Sequence, residues 1–373
     1  MENLEEAEVG SLKFPCTNCG AFLIYKPGTE HLSCEYCGAE NEIPKSDEII
    51  EEYDYLAALD EQSGSVAMLT EQFVKCDGCG ATSTVSGSLN STSCAYCAAP
   101  LIIANAFMES IIEPRSLLPF KLTKDQGKEE FKKWVTKMWF APNALKKASL
   151  SMDGLKGMYI PYWTYDSNTF TNYIGERGIH YYVTETYTAT ENGRSVTKTR
   201  QVRKTRWYPV SGLVQVSFDD IMVSATGSLP RKYVDELEPW DLENLVPFDK
   251  SYLSGFNAEK YQVSLKDGFE VAKEVMDGPI RTSIRRDIGG DEQRILSLRT
   301  NYTAITFKHL LCPVYTSAYK YKEKLYRFLI NARTGEVQGE RPYSAMKIAM
   351  AILAALIVIA GIWYWYAATH PQQ

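Results

Sequence analysis

The residues best suited to chemistry in this sequence are its cysteines, because eight of the nine fall into four Cys-x-x-Cys pairs. Two residues between cysteines allow a tight turn that directs both sulfurs at one ion. In a chain of 373 residues, such pairs are typical of metal ligands in a reducing compartment rather than of a small secreted disulfide scaffold. The ninth cysteine, Cys312, lies in an apolar stretch and is expected to be a small core residue.

The four pairs belong to a duplicated module. Both copies have the spacing C-x2-C-x14-C-x2-C, and the second copy is offset from the first by 60 residues. Gly20 and Gly80 follow the second cysteine of each copy, where glycine permits the turn. Two such turns at the ends of a short hairpin would surround one ion with four sulfurs, an arrangement that suits Zn²⁺. The predicted ligands are Cys16, Cys19, Cys34, Cys37, Cys76, Cys79, Cys94 and Cys97.

The two predicted Zn²⁺ ions are structural. A cage of four cysteines leaves no position for water or substrate, and metal binding supplies folding free energy that short segments cannot obtain from a core. Iron in a rubredoxin-like site is the alternative metal. Redox-active dithiols are a further alternative, although no thioredoxin-like βαβ pattern surrounds the cysteines.

A second set of side chains could bind anions. The segment Glu191-Asn192-Gly193 stands between two runs rich in Thr, Tyr and Val, which is a strong β-hairpin signal. The second strand, 194–206, has six basic residues and no acidic ones, and it is a candidate for contact with phosphate, anionic lipid headgroups or an acidic partner. The alternative is an ordinary solvated face. The six residues are Arg194, Lys198, Arg200, Arg203, Lys204 and Arg206.

No catalytic motif accompanies these residues. The sequence has no G-x-x-x-x-G-K-[ST] phosphate loop, no G-x-S-x-G nucleophile elbow and no H-E-x-x-H pair. The four histidines are scattered, and adjacent carboxylates such as Asp219 and Asp220 would point to opposite faces of a strand. We therefore predict that the protein is not an enzyme and has no catalytic residues.

One segment is apolar enough to cross a membrane. Residues 348–369 carry no charge over 22 positions, and at about 1.5 Å per residue they form a helix of roughly 33 Å. Aromatic residues cluster at 363–366, and Arg341 and Lys347 precede the segment. The pattern predicts a single-pass C-terminal anchor in the cell membrane, with the N-terminal bulk in the cytoplasm. The alternative is a buried core helix.

The predicted fold class is α+β, with two small N-terminal zinc ribbons, a central mixed α+β domain rich in antiparallel strands, and one C-terminal transmembrane helix. Between the ribbons, residues 40–61 carry nine acidic side chains against one lysine, and their apolar spacing predicts a short helix. Further helices are expected over 123–140 and 267–286. The predicted divisions are 1–43 (first ribbon), 44–70 (acidic linker), 71–104 (second ribbon), 105–344 (central domain) and 345–369 (membrane helix).

The later part of the chain contains specific motifs. They are Tyr159-Ile-Pro-Tyr-Trp-Thr-Tyr165, Asp287-Ile-Gly-Gly-Asp291, Phe307-Lys-His-Leu-Leu-Cys-Pro313, Asn331-Ala-Arg-Thr-Gly-Glu336 and Gly339-Glu-Arg-Pro-Tyr-Ser344. With the tandem ribbons and the terminal helix, this pattern resembles bacterial membrane-anchored zinc-ribbon proteins, often labelled TFIIB-type zinc-ribbon or primosomal helicase-like. The resemblance covers nearly the whole chain. It implies the eight paired cysteines as metal ligands, no catalytic residues, and a neighbourhood of phage-shock-type and SPFH (flotillin-like) proteins.

These observations predict a non-enzymatic, membrane-tethered zinc-ribbon adaptor. It would bind a cytoplasmic or membrane-associated protein partner, and the resemblance implies a role in membrane stress. The rival hypothesis is a nucleic-acid-binding protein linked to replication. The net charge of −6, the acidic linker and the missing helicase motor motifs argue against it. A third hypothesis is an enzyme whose site lies unrecognised in the central domain.

Overall fold

Three long antiparallel strands organise the molecule, β9 (Lys156–Glu191), β10 (Arg194–Ser224) and β13 (Glu292–Tyr321). The computed structural model describes residues 14–44, 46, 48–60, 64–85, 93–142, 154–191, 194–321 and 324–369. The order β10-β9-β13 continues through β14 (Lys324–Asn331) and β15 (Val337–Gly339). These segments are rich in Tyr, Thr and Val, which favour the pleated backbone. The strand-rich mixed fold of the prediction is confirmed.

The two central strands pair through similar sequences. Ile160 on β9 lies directly opposite Cys312 on β13. The motifs Ile160–Thr164 and Cys312–Thr316 therefore begin at this residue pair and run in opposite directions along the two strands. Cys312 is fully buried, as predicted for a small core residue.

One long helix covers the sheet. Helix α4 (Leu265–Ile288) begins at Ser264, whose side chain accepts a hydrogen bond from the Asp267 amide. Its buried positions, including Phe269, Met276 and Ile284, recur at the three- and four-residue spacing of one helical face. They pack against Trp163, Tyr165, Tyr173 and Phe307 of the sheet. The helix predicted over 267–286 is thus confirmed.

A second predicted helix is also confirmed, although it is shorter than the pattern indicates. Helix α2 (Lys124–Lys137) has a capping box between Thr123 and Gln126 and buries Phe131 and Val135. Because the helix stops at Lys137, Trp139 lies outside it, although the helix is predicted to continue to residue 140. Its side chain is 78% exposed.

The acidic linker is mostly not helical. Tyr53 and Asp54 form a short strand, β4 (Tyr53–Asp54), that pairs with Thr306 and Phe307 of β13. Helix α1 (Tyr55–Leu59) follows, capped by the Asp54 side chain. The helix is short because pairing with the sheet fixes the preceding residues in an extended conformation.

Each cysteine group lies in a small three-stranded sheet. The first cysteine module (residues 14–44) contains β1 (Leu23–Tyr25), β2 (His31–Cys34) and β3 (Glu40–Glu42). The second cysteine module (residues 68–112) contains β5 (Met68–Lys75), β6 (Thr82–Thr84) and β7 (Phe107–Ile112). Both modules share cores with the long strands: Tyr25 packs with Phe120 and Tyr159, and Tyr96 with Met158 and Ile160.

Short elements complete the sheet edges. They are β8 (Ser116–Leu117), α3 (Arg231–Asp235), β11 (Val246–Pro247) and β12 (Asn257–Ala258), with single 3-10 turns at Ile103–Asn105, Leu242–Asn244 and Lys250–Leu253.

The C-terminal helix α5 (Ala345–Thr369) stands apart from these cores. The most apolar 18-residue window of Ala345–Tyr366 has a mean hydropathy of 2.5, and none of that window is buried within the protein. It is long and apolar enough to cross a membrane. Its base is tied to the segment that follows α2, because the Ser344 amide and the Lys347 ammonium donate to the carbonyl oxygens of Phe140 and Ala141, each at 2.8 Å.

Candidate metal centres and the projecting arm

The four Cys-x-x-Cys turns share one backbone design. In the first turn the Cys16 amide donates to the carbonyl oxygen of Ala21 at 2.7 Å, and the Gly20 amide donates back to Cys16 at 2.8 Å. The same pair of bonds recurs in the other three turns. Gly20, Gly38 and Gly80 have positive φ, but the fourth turn places Ala98 there, at φ 59°. A side chain at that position is strained, so the repeat keeps the turn even without its glycine.

The sulfur atoms fit one tetrahedral ion in each module. In the first module, Cys16 and Cys37 lie 3.6 Å apart between Sγ atoms, and so do Cys19 and Cys34. In the second, the corresponding distances are 3.5 and 3.6 Å. A tetrahedron with Zn–S bonds of about 2.3 Å requires sulfurs about 3.8 Å apart. The eight predicted ligands therefore come together as two groups of four that could hold zinc: Cys16, Cys19, Cys34 and Cys37, and Cys76, Cys79, Cys94 and Cys97.

Local hydrogen bonds favour a thiolate in each group. The backbone amide of Ala39 lowers the pKa of Cys37 to about 6. A hydrogen bond from Cys79, with help from the backbone amides of Cys97 and Tyr96, lowers the pKa of Cys94 to about 5. Hydrogen bonding to Cys37 and Cys94 raises the pKa of the partner thiol, Cys19 in the first group and Cys79 in the second, so each pair has one thiol that favours the metal-binding thiolate form.

The two modules differ in the solvent exposure of their second Cys-x-x-Cys turn. Tyr36 and Tyr96 occupy the same position of the repeat, one residue before the last cysteine. The Tyr36 side chain is 86% exposed, whereas Tyr96 is 1% exposed. The same asymmetry holds for the ligands, because Cys19 and Cys37 are exposed while Cys79 and Cys97 are half-buried. The second module is docked on the core through its turn, and the first leaves its turn facing solvent.

A buried carboxyl holds Tyr96 in place. Glu259 is 3% exposed and accepts hydrogen bonds from the hydroxyls of Tyr96, Thr226 and Ser228 and from the Gln262 amide. Burial raises the pKa of Glu259 to about 7, against the opposing effect of these donors. No sequence motif indicates this contact, since Tyr96 and Glu259 are 163 residues apart.

A cluster of three carboxylates was missed by the sequence analysis. Oxygen atoms of Glu52, Asp166 and Asp220 lie within 4.8 Å of one another. Asp219 is not a member of this cluster, so Asp219 and Asp220 do not form a carboxylate pair, as expected; Asp220 instead joins two carboxylates that are distant in the sequence. A bulge between Phe218 and Ile221 breaks the alternation of the strand, Asp220 has φ 51°, and its amide donates to Asp166 at 2.7 Å.

The cation at this cluster is a lysine. Lys308 is 8% exposed, and its Nζ lies 2.8 Å from Glu52 and 2.7 Å from Asp220. Burial, together with the neighbouring Glu52, raises the pKa of Asp166 to about 7. Although burial opposes it, hydrogen bonding to Asp220 and Glu52 raises the pKa of Lys308 overall. The group is a buried ion-pair network that joins the linker to the sheet.

The predicted basic hairpin is present and projects beyond the rest of the sheet. Strand β13 pairs with β9 only as far as Glu292 opposite Gly178. Beyond that point, β9 and β10 continue as a two-stranded arm, defined here as residues 179–191 and 194–206. None of the arm side chains that the structure describes is buried.

Five of the six predicted basic residues share one face of the arm. Directly opposed residues of antiparallel strands point to the same face. Tyr181 opposes Lys204, and Tyr187 opposes Lys198, so the tyrosines alternate with the cations. Arg203 lies on the other face, and the alternation of positions in the sequence would have separated it from the rest. The basic face carries Arg194, Lys198, Arg200, Lys204 and Arg206.

Aromatic and acidic neighbours order this basic face. The Arg206 guanidinium lies 5.0 Å from the Tyr181 ring centre, and that of Arg200 lies 5.6 Å from Tyr187. Glu185 lies between them, 3.0 Å from the Lys204 ammonium. Glu185 also lies 3.6 Å from Arg200, and the six cations of the arm outnumber its two carboxylates.

Comparison with known proteins adds one relative. No protein-family model matches the chain, and no solved structure matches it. The chain is 25% identical over 350 residues to the uncharacterized protein YdjG of Bacillus subtilis (strain 168). The match covers 91% of this chain and 92% of that protein. The similarity thus extends over nearly the whole architecture, and the name of the relative carries no activity to this chain.

Proposed function

We propose that this protein is a membrane-tethered zinc-ribbon adaptor without catalytic activity, and that it binds a protein partner through its first cysteine module. The exposure of Tyr36 carries the proposal. At the equivalent position of the repeat, Tyr96 fills a core contact, whereas 86% of the Tyr36 side chain faces solvent. An aromatic side chain on a rigid turn loses little conformational entropy on binding and is a common anchor in protein interfaces.

The cysteine geometry supports a structural role for the metals. Each group offers four sulfurs within 4.8 Å of one another, so a bound Zn²⁺ would be fully coordinated by protein. Such an ion would fix the turn that presents Tyr36 and would leave no position for substrate. In the second module the ion would hold the docking contact of Tyr96.

The C-terminal helix supports the membrane tether. Its 22-residue apolar stretch lies outside the protein core, and Arg341 and Lys347 stand at the end nearest the folded body. That charge distribution favours a cytoplasmic location for the cysteine modules. The family resemblance suggests a membrane-stress partner of the phage-shock or SPFH type.

Affinity capture of the full-length protein from detergent-solubilised membranes tests the proposal. We expect a protein partner that is retained after nuclease treatment and lost with Tyr36→Ala, while zinc content stays at about two ions per chain, one for each four-cysteine site. Tyr96→Phe is the matched control, because it alters the buried equivalent and leaves the exposed turn intact; it should retain the partner. Retention of the partner by Tyr36→Ala would refute the assignment to the first module.

The arm favours nucleic-acid binding as a second candidate function. A two-stranded ribbon with five cations and two tyrosines on one face could contact a phosphate backbone. In the same capture experiment, this function predicts nucleic acid among the products and loss of any replication protein after nuclease treatment.

A further inference from the structure

We infer that the basic face of the arm docks on a lipid bilayer with anionic headgroups. This inference goes beyond the proposed adaptor and rests on its membrane location. The two ideas concern different surfaces, since Tyr36 lies in the first cysteine module and the arm lies at the far end of the long strands.

Beyond its base, where Glu292 contacts His180 and Thr205, the described part of the arm is uncovered on both faces. The covering helix α4 ends at Ile288, and the Arg177 guanidinium donates to the Ile288 carbonyl oxygen at that boundary. Strand β13 starts at Glu292, opposite Gly178. Past these residues, each arm side chain that the structure describes is exposed or half-buried. The ribbon therefore has a surface with no role in the core.

The two faces of the arm differ in character. On the basic face, aliphatic Val183 lies opposite Val202 at the centre, between the tyrosine and cation pairs. The basic face spans 13 residues from Arg194 to Arg206, or about 40 Å at the usual rise of a strand. The opposite face is mainly uncharged and hydroxylated, with threonines at positions 184, 186, 188, 190, 197, 199 and 205.

A bilayer surface satisfies this combination better than a phosphate backbone. Tyrosine rings are favoured at the level of lipid headgroups, and the long stems of Lys and Arg can cover apolar surface while their charges reach the phosphates. Val183 and Val202 would gain from an apolar boundary and gain nothing from phosphate. The threonine face would remain in water, as the polar face of an amphipathic element does at a membrane.

Charge gives the arm its preference for anionic lipid. The arm carries six cations and two carboxylates in a chain whose net charge is −6, so positive charge is concentrated there against the trend of the protein. Each Lys or Arg that reaches an anionic membrane surface strengthens binding by roughly fivefold. A tether in the same bilayer would raise the effective concentration of that surface. The arm starts about 75 Å along β9 from Lys156. It contacts this bilayer when the long strands lie parallel to the membrane surface.

Vesicle binding by the full-length protein tests the inference. The protein is held by its helix in nanodiscs of phosphatidylcholine alone, and sucrose-loaded vesicles are then added and sedimented. We expect co-sedimentation with vesicles that contain about one-third phosphatidylserine and none with pure phosphatidylcholine. Binding should weaken as salt rises, because the headgroup charges are screened.

Two neighbouring substitutions separate the faces. Lys204→Gln and Arg203→Gln each remove one positive charge, from the basic face and from the threonine face respectively. We expect about fivefold weaker vesicle binding for Lys204→Gln and a change of less than about twofold for Arg203→Gln. Equal losses would show that the face is irrelevant and would overturn the inference.

The remaining outcomes distinguish this inference from the proposed function. Absence of vesicle binding by protein that remains in the nanodiscs would overturn the arm assignment and leave the tether intact. Failure of the protein to enter nanodiscs would instead overturn the tether. Duplex DNA that displaces the vesicles and binds more tightly would identify the basic face as a nucleic-acid surface.

Discussion

Replacing Tyr96 should lower the free energy of unfolding far more than replacing Tyr36, its equivalent in the repeat. Tyr96 is 1% exposed and packs in the same core as Trp240, whereas Tyr36 is 86% exposed. Truncating a buried aromatic side chain to alanine costs about 3–5 kcal/mol. We therefore expect Tyr96→Ala to lower the free energy of unfolding by about 4 kcal/mol. Tyr36→Ala should change it by less than about 0.5 kcal/mol.

A third variant isolates the buried hydrogen bond. Tyr96→Phe keeps the ring but removes the hydroxyl that donates to Glu259. The Glu259 carboxyl still accepts hydrogen bonds from Thr226, Ser228 and Gln262, so it remains satisfied. The expected loss is about 1–2 kcal/mol, since a charged or strongly polar acceptor loses one of four partners.

Urea denaturation of the zinc-loaded, full-length protein in detergent provides the assay. Fluorescence of the buried tryptophans reports unfolding of the core, and limited proteolysis reports local release of the second module. Comparing midpoints at equal slope separates changes in stability from changes in the unfolded state. Similar losses for Tyr36→Ala and Tyr96→Ala would refute the reasoning, because they would mean that both modules are docked by their turns.

Three further predictions follow from the described residues. A strong chelator should remove zinc in two phases, with the first module faster because Cys19 and Cys37 are exposed; Cys37→Ser should abolish the fast phase in an indicator assay. Lys308→Met should lower the free energy of unfolding by about 3 kcal/mol at pH 8 and by less at pH 5. The control Lys273→Met removes a lysine from a largely exposed ion pair and should lower it by less than about 1 kcal/mol, as measured by denaturation. The direction of this pH dependence follows from Asp166. Its raised pKa of about 7 means that the folded state binds the proton more tightly than the unfolded state does, so the free energy of unfolding falls as pH rises from about 4 to 7. Loss of the lysine deepens that fall. Truncation after Ser344 should move the protein from the membrane fraction to the soluble fraction, and persistence in membranes would reveal a second anchor.

Local sequence signals were enough for several elements. The four Cys-x-x-Cys turns form as predicted because each turn is closed by hydrogen bonds within six residues, such as the one from Cys16 to Ala21. The two main helices follow from apolar spacing and from caps at Thr123 and Ser264. The antiparallel pairing of β9 with β10 and the apolar C-terminal helix are likewise encoded by neighbouring residues.

Contacts between distant segments decided the rest. The repeat gives Tyr36 and Tyr96 similar local sequences, Cys-Glu-Tyr-Cys-Gly and Cys-Ala-Tyr-Cys-Ala, and the contact of Tyr96 with the distant Glu259 separates their roles. Tyr53 and Asp54 of the linker form a strand because β13 offers them a pairing edge. Asp220 joined the carboxylates because a bulge reversed its direction.

The sequence by itself therefore determined which side chains could hold metal, which helix could cross a membrane, and which strand is basic. It determined these because spacing, apolar length and alternation act over a few residues. Only the tertiary structure decided which cysteine module has its second turn facing solvent, and that the arm extends beyond the end of helix α4 and the start of strand β13. Those features depend on where long strands end relative to one another, and pairing across more than 100 residues leaves no local pattern to read.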